Sequence, residues 1–446
     1  MLAPGEFFCI PDKLQTTKIE FQQLLISQIG RFMNTFSYVF LVALASGFAI
    51  QWLLSQRQLK HVARNREEVP AAFADNIPLE DHQKAADYTR AKAKTGLVEL
   101  CIATIILLIW TLGGGLQWLD IFWRNLSLSE LLTGVGFIFS VILIGSVLDI
   151  PFSVYRTFKL EQRFGFNKTT VQTFVIDIIK GTVLMSVVGI PLLALILWIM
   201  QNANELWWLY VWMTWLGFSL TMMWAYPAFI APLFNKFRAL EEGELKQRIE
   251  NLLKRNGFTG NGIFVMDGSS RSTHGNAYFT GLGANKRIVF YDTLIEELNS
   301  DEVEAVLAHE LGHFKCNHIK KHIVVMGAIF LVSFALLGWL IDLHWFYEGL
   351  GVSEPSTYMA LTLFLLVSPA FTLFLQPVFS QMSRKHEFEA DDFAAGQANP
   401  ADLIRALVKL YKENANTLTP DPLYSAFHDS HPPAPIRIAH LSSKIS

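Results

Sequence analysis

At 446 residues the chain is long enough for roughly two or three soluble domains, but 52% of it is hydrophobic, 13% is aromatic, and its mean hydropathy is +0.32. That composition excludes an ordinary soluble protein and indicates a membrane one. A formal net charge of -3 argues against a nucleic-acid partner, and three cysteines in unrelated contexts, Cys9, Cys101 and Cys316, imply no disulfide framework.

After a mixed N-terminal stretch, Phe36 to Leu54 is an apolar run long enough to cross a bilayer. Position excludes a cleavable signal peptide: the small-residue triplet Ala43-Leu44-Ala45 lies inside the run instead of after it. Residues 57 to 94 are polar and rich in Lys and Arg, with Pro70 and Pro78 interrupting any long helix. Further apolar runs are Leu97 to Leu116, Leu131 to Ile150, Gly181 to Met200, Leu206 to Tyr226, Ile323 to Ile341 and Tyr358 to Val378. This predicts seven transmembrane helices, five in an N-terminal membrane domain (1–234) and two within a second domain (235–446). The segments after the first, third, fifth and seventh runs carry Arg57, Lys60, Arg64, Arg66, Lys92 and Lys94, then Arg156, Lys159, Arg163 and Lys168, then Lys236 and Arg238, then Arg384 and Lys385. The alternate segments carry little beyond Arg124. The excess of positive charge on one side puts the N-terminus outside and the soluble part of the second domain in the cytoplasm. Glu99, Asp149, Asp177 and Lys180, near span ends, demand a wet or paired environment.

From Asn235 to Cys316 the sequence turns soluble in character. Ala239 to Asn256 predicts an amphipathic helix stopped by Gly257, and Gly262 to Met266 and Arg287 to Tyr291 predict short strands. A helix starting at Ser300, with Asp301, Glu302 and Glu304 in its favourable first turn, carries His309-Glu310-Leu311-Gly312-His313. Residues four apart on a helix share a face, so the two imidazoles converge on one metal ion. Two imidazoles and one carboxylate suit Zn²⁺ and leave a fourth position for water, whose proton Glu310 can take and later hand to a leaving amine. A third ligand is then required. Glu387 and Asp391 are four apart, which fits a ligand with a supporting carboxylate and fits a solvated charge run equally well. His318 and His322 read as interface residues, Cys316 as a packing residue, and His274 as a candidate to line the cleft.

The zinc motif does not stand alone. Leu160-Glu161-Gln162-Arg163-Phe164-Gly165-Phe166-Asn167-Lys168, Tyr226-Pro227 with Ile230-Ala231-Pro232-Leu233-Phe234-Asn235, Val265-Met266-Asp267-Gly268-Ser269, Asn276-Ala277-Tyr278-Phe279, Lys286-Arg287-Ile288-Val289, Ser383 to Asp391, and Ser430-His431-Pro432-Pro433 with Arg437 are spread over most of the chain. Together they resemble the membrane-embedded M48 gluzincin metallopeptidases, and specifically the Ste24-type CAAX prenyl proteases. The resemblance implies an all-α membrane protein whose seven helices form a hollow barrel, with a peptidase domain of a small β-sheet plus the HExxH helix. It also implies one zinc per chain on His309, His313 and Glu387, Glu310 as general base, and Asp391 as the carboxylate behind a ligand. Asn276, Ala277, Tyr278 and Phe279 would form an edge strand that aligns an extended peptide, and His431 and Arg437 would face the reacting carbonyl.

The resulting expectation is a monomeric zinc endopeptidase cutting near the C-terminus of CAAX-type peptides, prenylated or not, among membrane lipids. Lys444-Ile445-Ser446 carries no evident retention signal, which favours a bacterial inner membrane over the endoplasmic reticulum. The alternatives are a broad quality-control membrane protease and a transporter with a structural zinc site. A structural site is usually closed by four protein ligands, whereas three ligands beside a free Glu favour catalysis. An intramembrane protease of the site-2 type is excluded because Glu302, Glu304, Lys315 and Lys320 flank the motif and Asp267-Gly268 precedes it.

Overall fold

The structure, a computed structural model, describes residues 33–258, 262–280 and 287–445. Cys9 and Lys286 lie outside the described residues. The principal elements of the first half are α1 (Thr35–Arg64), α2 (Leu79–Trp110), α3 (Glu130–Tyr155), α4 (Val171–Asn202) and α5 (Trp207–Ala225). The second half contains β1 (Phe237–Ala239), α6 (Glu244–Arg255), β2 (Ile263–Met266), β3 (Ala277–Thr280), β4 (Arg287–Tyr291), α7 (Ser300–Lys315), α8 (His318–Leu340), α9 (Thr357–Thr372), α10 (Gln376–Gln397), α11 (Pro400–Glu413), α12 (Pro422–His428) and α13 (Ala434–Ser442). Among the described residues, seven helices are long and apolar enough to cross a membrane, the third running on to Phe164, the fifth to Phe234 and the seventh from Thr357 to Gln397.

The apolar runs account for only part of these helices. α1 continues past Leu54 to Arg64, α2 begins at Leu79 directly after Pro78, and the third span runs past Ile150 to Phe164. A proline at the start of a helix costs no backbone hydrogen bond, so Pro78 starts α2 instead of breaking it. Inside a helix it does remove one. Pro151 lies in α3, and the helix then widens into a π turn over Arg156–Glu161; Pro227 lies in a second such turn, Tyr226–Ile230.

These overhangs tie the spans to the second half of the chain. Arg57 of α1 makes a two-point bond to Asp421, which caps α12, at 3.2 and 3.0 Å. Asp81 of α2 pairs with Lys412 of α11 at 3.4 Å, Asn167 bridges to Ser272, and Asp177 of α4 holds Arg271 at 3.0 and 3.1 Å. The other ionisable groups near span ends are likewise partnered: Glu99 and Asp149 share Arg156, and Lys180 donates to the Leu233 carbonyl at 2.7 Å. Pairing removes the cost of placing each charge near the apolar layer.

The second half builds a four-stranded sheet in the order β1-β2-β4-β3, with β2 and β4 parallel and both outer pairs antiparallel. Among the described residues β3 is therefore an edge strand. The helix expected over Ala239 to Asn256 is corrected: Ala239 ends β1, Leu240 still donates to the Ile263 carbonyl at 3.0 Å, and α6 begins only at Glu244. Leu240 belongs to the helical period by spacing, but pairing with β2 claims it first. Ile249 and Leu252 of α6 then pack with Ile288 and Phe290 of β4 and Val303 and Leu307 of α7 in one buried cluster.

Candidate metal centre

α7 is specified at both ends. Asn299 caps it, accepting from the Glu302 amide at 2.9 Å while the Glu302 carboxylate accepts from the Asn299 amide at 2.9 Å, a reciprocal arrangement that satisfies two otherwise orphaned donors. The cap is thus one residue ahead of Ser300. Glu302 is 1% exposed and is neutralised from α11 by Lys409 at 2.7 Å. At the other end Asn317 adopts the left-handed conformation (φ 58), which asparagine tolerates better than most residues. The chain turns sharply there, and α8 starts with His318 folded back beneath His313.

Gly312 decides how closely α10 approaches. A Cβ on Gly312 would lie 2.9 Å from the Ala390 Cα and 3.0 Å from its carbonyl oxygen, so the two backbones cross in contact at that point. The crossing carries Glu387 and Asp391, one turn apart on α10, to the HExxH face. His309 Nε2 and His313 Nε2 are 3.2 Å apart, and the Glu387 oxygens lie 3.6 Å from the first and 3.3 Å from the second.

The back of each imidazole is occupied. His309 Nδ1 donates to Asp391 at 2.9 Å, and Arg437 grips the same carboxylate through two bonds of 2.9 and 2.6 Å. His313 Nδ1 lies 3.0 Å from His318 Nδ1, and His318 Nε2 lies 2.9 Å from Glu389. These partners assign the protons: His318 donates to Glu389, so its other nitrogen accepts from His313. In these neutral tautomers both Nε2 atoms bear lone pairs and face each other and a carboxylate. Glu387 Oε2 is buried without a hydrogen-bond partner. Three lone-pair donors converging in this way repel one another unless a cation lies between them, so the residues fit a metal ion with one carboxylate and two imidazole ligands. The three ligating atoms fall within 4.8 Å of one another.

Burial opposes the charged form of His309, but the Asp391 and Glu387 carboxylates beside it outweigh burial and raise the imidazole to about 9. Burial also pushes the Glu310 carboxyl above the ordinary carboxylate range, against the lowering pull of His309 and His313. Glu310 is not among the converging ligands. It lines, with His309 and Glu387, a cavity of about 890 Å³ whose wall also includes Gln51, Ser55 and Gln58 of α1 and Thr89, Lys92 and Gly96 of α2.

His431 stands on the cavity wall with Nε2 3.3 Å from Glu387 and Nδ1 3.0 Å from Ser430 Oγ. Its segment is fixed by Arg384 of α10, which bonds the Asp429 carbonyl at 3.1 Å and the Ser425 carbonyl. Arg437 lines the same cavity, with its side chain 8% exposed, bonded to Asp391 and 3.4 Å from Glu387. Asn276 and Ala277 line the cavity, and the Asn276 side chain accepts from the Ala277 amide at 2.8 Å. Tyr278 and Phe279 face other rings, Tyr291 and Phe258, and are not among the described residues lining the cavity. His274 stacks on Phe166 with ring centres 4.5 Å apart and approaches Asn414 at 3.0 Å, behind the wall. His318 and Glu389 are the site residues that spacing missed. The only signal was the asparagine turn before His318.

The comparisons with known proteins agree over most of the chain. Residues 58–236 match the family described as CAAX prenyl protease N-terminal, five membrane helices, and residues 239–445 match peptidase family M48. A CAAX prenyl protease 1 homolog of Arabidopsis thaliana is 35% identical over 408 residues, covering 89% of this chain and 95% of the relative. CAAX prenyl protease 1 of Saccharomyces cerevisiae is 35% identical (88% and 92% covered), and the Homo sapiens homolog 31% (87% and 92% covered). The crystal structure of S. mikatae Ste24p superposes with a TM-score of 0.84 at 32% identity, covering 92% of this chain and 99% of that one. The chain belongs to peptidase family M48, as an integral-membrane metalloprotease of the Ste24 type of CAAX prenyl protease.

Proposed function

We propose that the protein is a zinc endopeptidase that hydrolyses peptide bonds near the C-terminus of CAAX-type peptides, with one zinc per chain on His309, His313 and Glu387. The observation that carries this reading is Glu310: a carboxylate raised above its ordinary range, next to a converging three-ligand cluster and open to the same cavity. Zinc held there would supply Lewis acidity, making water a usable nucleophile near neutral pH and polarising a carbonyl. Glu310 takes the proton of the attacking water and delivers it to the leaving amine. His431, held by Ser430 on one nitrogen, donates from the other to the oxygen that gains charge in the transition state. Asp391 and Arg437 keep His309 in the tautomer that presents Nε2, and Glu389 does the same for His313 through His318. The free edge of β3, beginning at Asn276 and Ala277, takes the peptide as an added strand.

The site's side of the membrane is proposed as cytoplasmic, with the N-terminus outside. The support is that Arg57, Arg163, Lys168 and Arg384 sit on the helix overhangs and loops that meet the peptidase half. The relatives reported above are eukaryotic and lend no support to a bacterial inner membrane. The function is tested with two CAAX peptides, one farnesylated and one not, offered to purified protein in detergent. Cleavage should require wild-type Glu310, the Glu310→Gln variant losing about 100- to 10,000-fold in rate. Cleavage of only the farnesylated peptide makes the lipid part of recognition; equal cleavage of both favours broader membrane proteolysis; retained activity in Glu310→Gln overturns the general-base role.

A further inference from the structure

The cavity wall holds one cationic side chain that the chemistry above does not use. Lys92 of α2 opens into the same cavity as His309 and Glu310. Arg437, the other permanent cation on that wall, is consumed by Asp391 and Glu387. Among the described residues Lys92 has no ion-pair partner, and its Nζ stands over the Tyr88 ring, 4.2 Å from the centre. Glu161 is the carboxylate that Lys92 feels. Its oxygens are already engaged, one accepting from Tyr88 at 2.5 Å and the other 3.6 Å from His274 Nε2. An ammonium left accessible in a partly apolar cavity, with no ion pair of its own, is a receptor for an anion.

The fold also says which end of a bound peptide meets it. Tyr88 and Phe166 flank His274, with ring centres 6.5 and 4.5 Å away, and His274 leads through Gly275 and Asn276 into β3. Asn414 fixes that lead-in by accepting from the Gly275 amide at 3.2 Å. Lys92 thus belongs to the end at which β3 starts. A peptide laid antiparallel along the free edge of β3 runs toward that end with its C-terminus leading, and about three extended residues beyond the cut advance it by roughly 10 Å.

We propose that Lys92 receives the free C-terminal carboxylate of the substrate and so selects peptides that end a few residues after the scissile bond. This rests on the peptidase reading for the place of the cut but not for the binding itself, and the test separates the two. The probe is a peptide with a farnesylated cysteine followed by three aliphatic residues, made once as the free acid and once as the C-terminal amide. Its affinity is measured by fluorescence anisotropy for full-length, metal-loaded Glu310→Gln protein in detergent, with and without Lys92→Met or Lys92→Arg. The acid should bind about 10- to 100-fold more tightly than the amide, as for a hydrogen bond to a charged group. Lys92→Met should erase that preference by weakening the acid, and Lys92→Arg should restore most of it. Equal affinities for acid and amide, or equal weakening of both by Lys92→Met, would overturn the proposal, the second result pointing to a structural role or to a lipid phosphate instead. Acid-selective binding that vanishes in Lys92→Met, in a protein whose wild type cuts neither peptide, would support the receptor and sink the peptidase reading.

Discussion

His309 and His313 leave one helix four residues apart and point at one place, yet what stands behind each differs in kind. Behind His309 is a sealed ionic pair: Asp391 has no exposed surface and the Arg437 guanidinium is 8% exposed. Behind His313 is a second imidazole, His318, 5% exposed, leaning on Glu389, which is 32% exposed and shared with Lys321. The first support is also part of the core that joins α7, α10 and α13. The second sits at the start of a membrane span and is partly open to water. Two chemically equal ligands can thus be held by structures of unequal consequence: removing one support damages fold and metal together, and removing the other damages the metal alone.

The largest effect expected from this contrast is that of Asp391→Ala. It leaves a buried guanidinium with Glu387 as its nearest remaining carboxylate, and breaking a buried pair costs about 3 to 5 kcal/mol. The variant should lose its metal and melt well below wild type in detergent; a wild-type melting curve would show that the two supports are equivalent. His318→Ala should weaken zinc binding by about 10- to 100-fold, as for other groups behind a ligating histidine, with little change in melting. A loss of stability matching that of Asp391→Ala would break the contrast from the other side. The smallest effect concerns protons. The metal-free His309 is raised to about 9, so near neutral pH a proton must leave before a metal can bind. Zinc affinity should therefore fall as pH falls, by about tenfold per unit below 9, in competition titrations against a chelator. A flat profile between pH 6 and 8 would contradict the proton's place on His309.

Much of this was legible in the sequence, for identifiable reasons. The HExxH helix could be read because helical spacing alone puts His309 and His313 on one face. Hydropathy marked the seven spans but not their lengths, since it reports where lipid contacts a helix and not where the helix ends; the polar overhangs to Arg64 and Phe164 therefore read as loops. Glu387 was ambiguous because choosing it requires the Gly312–Ala390 crossing, a contact between segments far apart in the chain. The contact of His318 with His313 was not legible because five residues is the wrong spacing on a continuous helix, and only the left-handed turn at Asn317 brings it back. The bond of Arg437 to Asp391 was not legible, since only tertiary packing brings the two together.

The central claim is that one zinc ion is held by His309, His313 and Glu387 while Glu310 stays free to act. Its most direct test is the zinc content, by inductively coupled plasma mass spectrometry, of purified wild type, Glu310→Gln and Glu387→Ala. The account predicts one zinc per chain in the first two and close to none in the third. Full zinc occupancy in Glu387→Ala, or loss of zinc in Glu310→Gln, would contradict it.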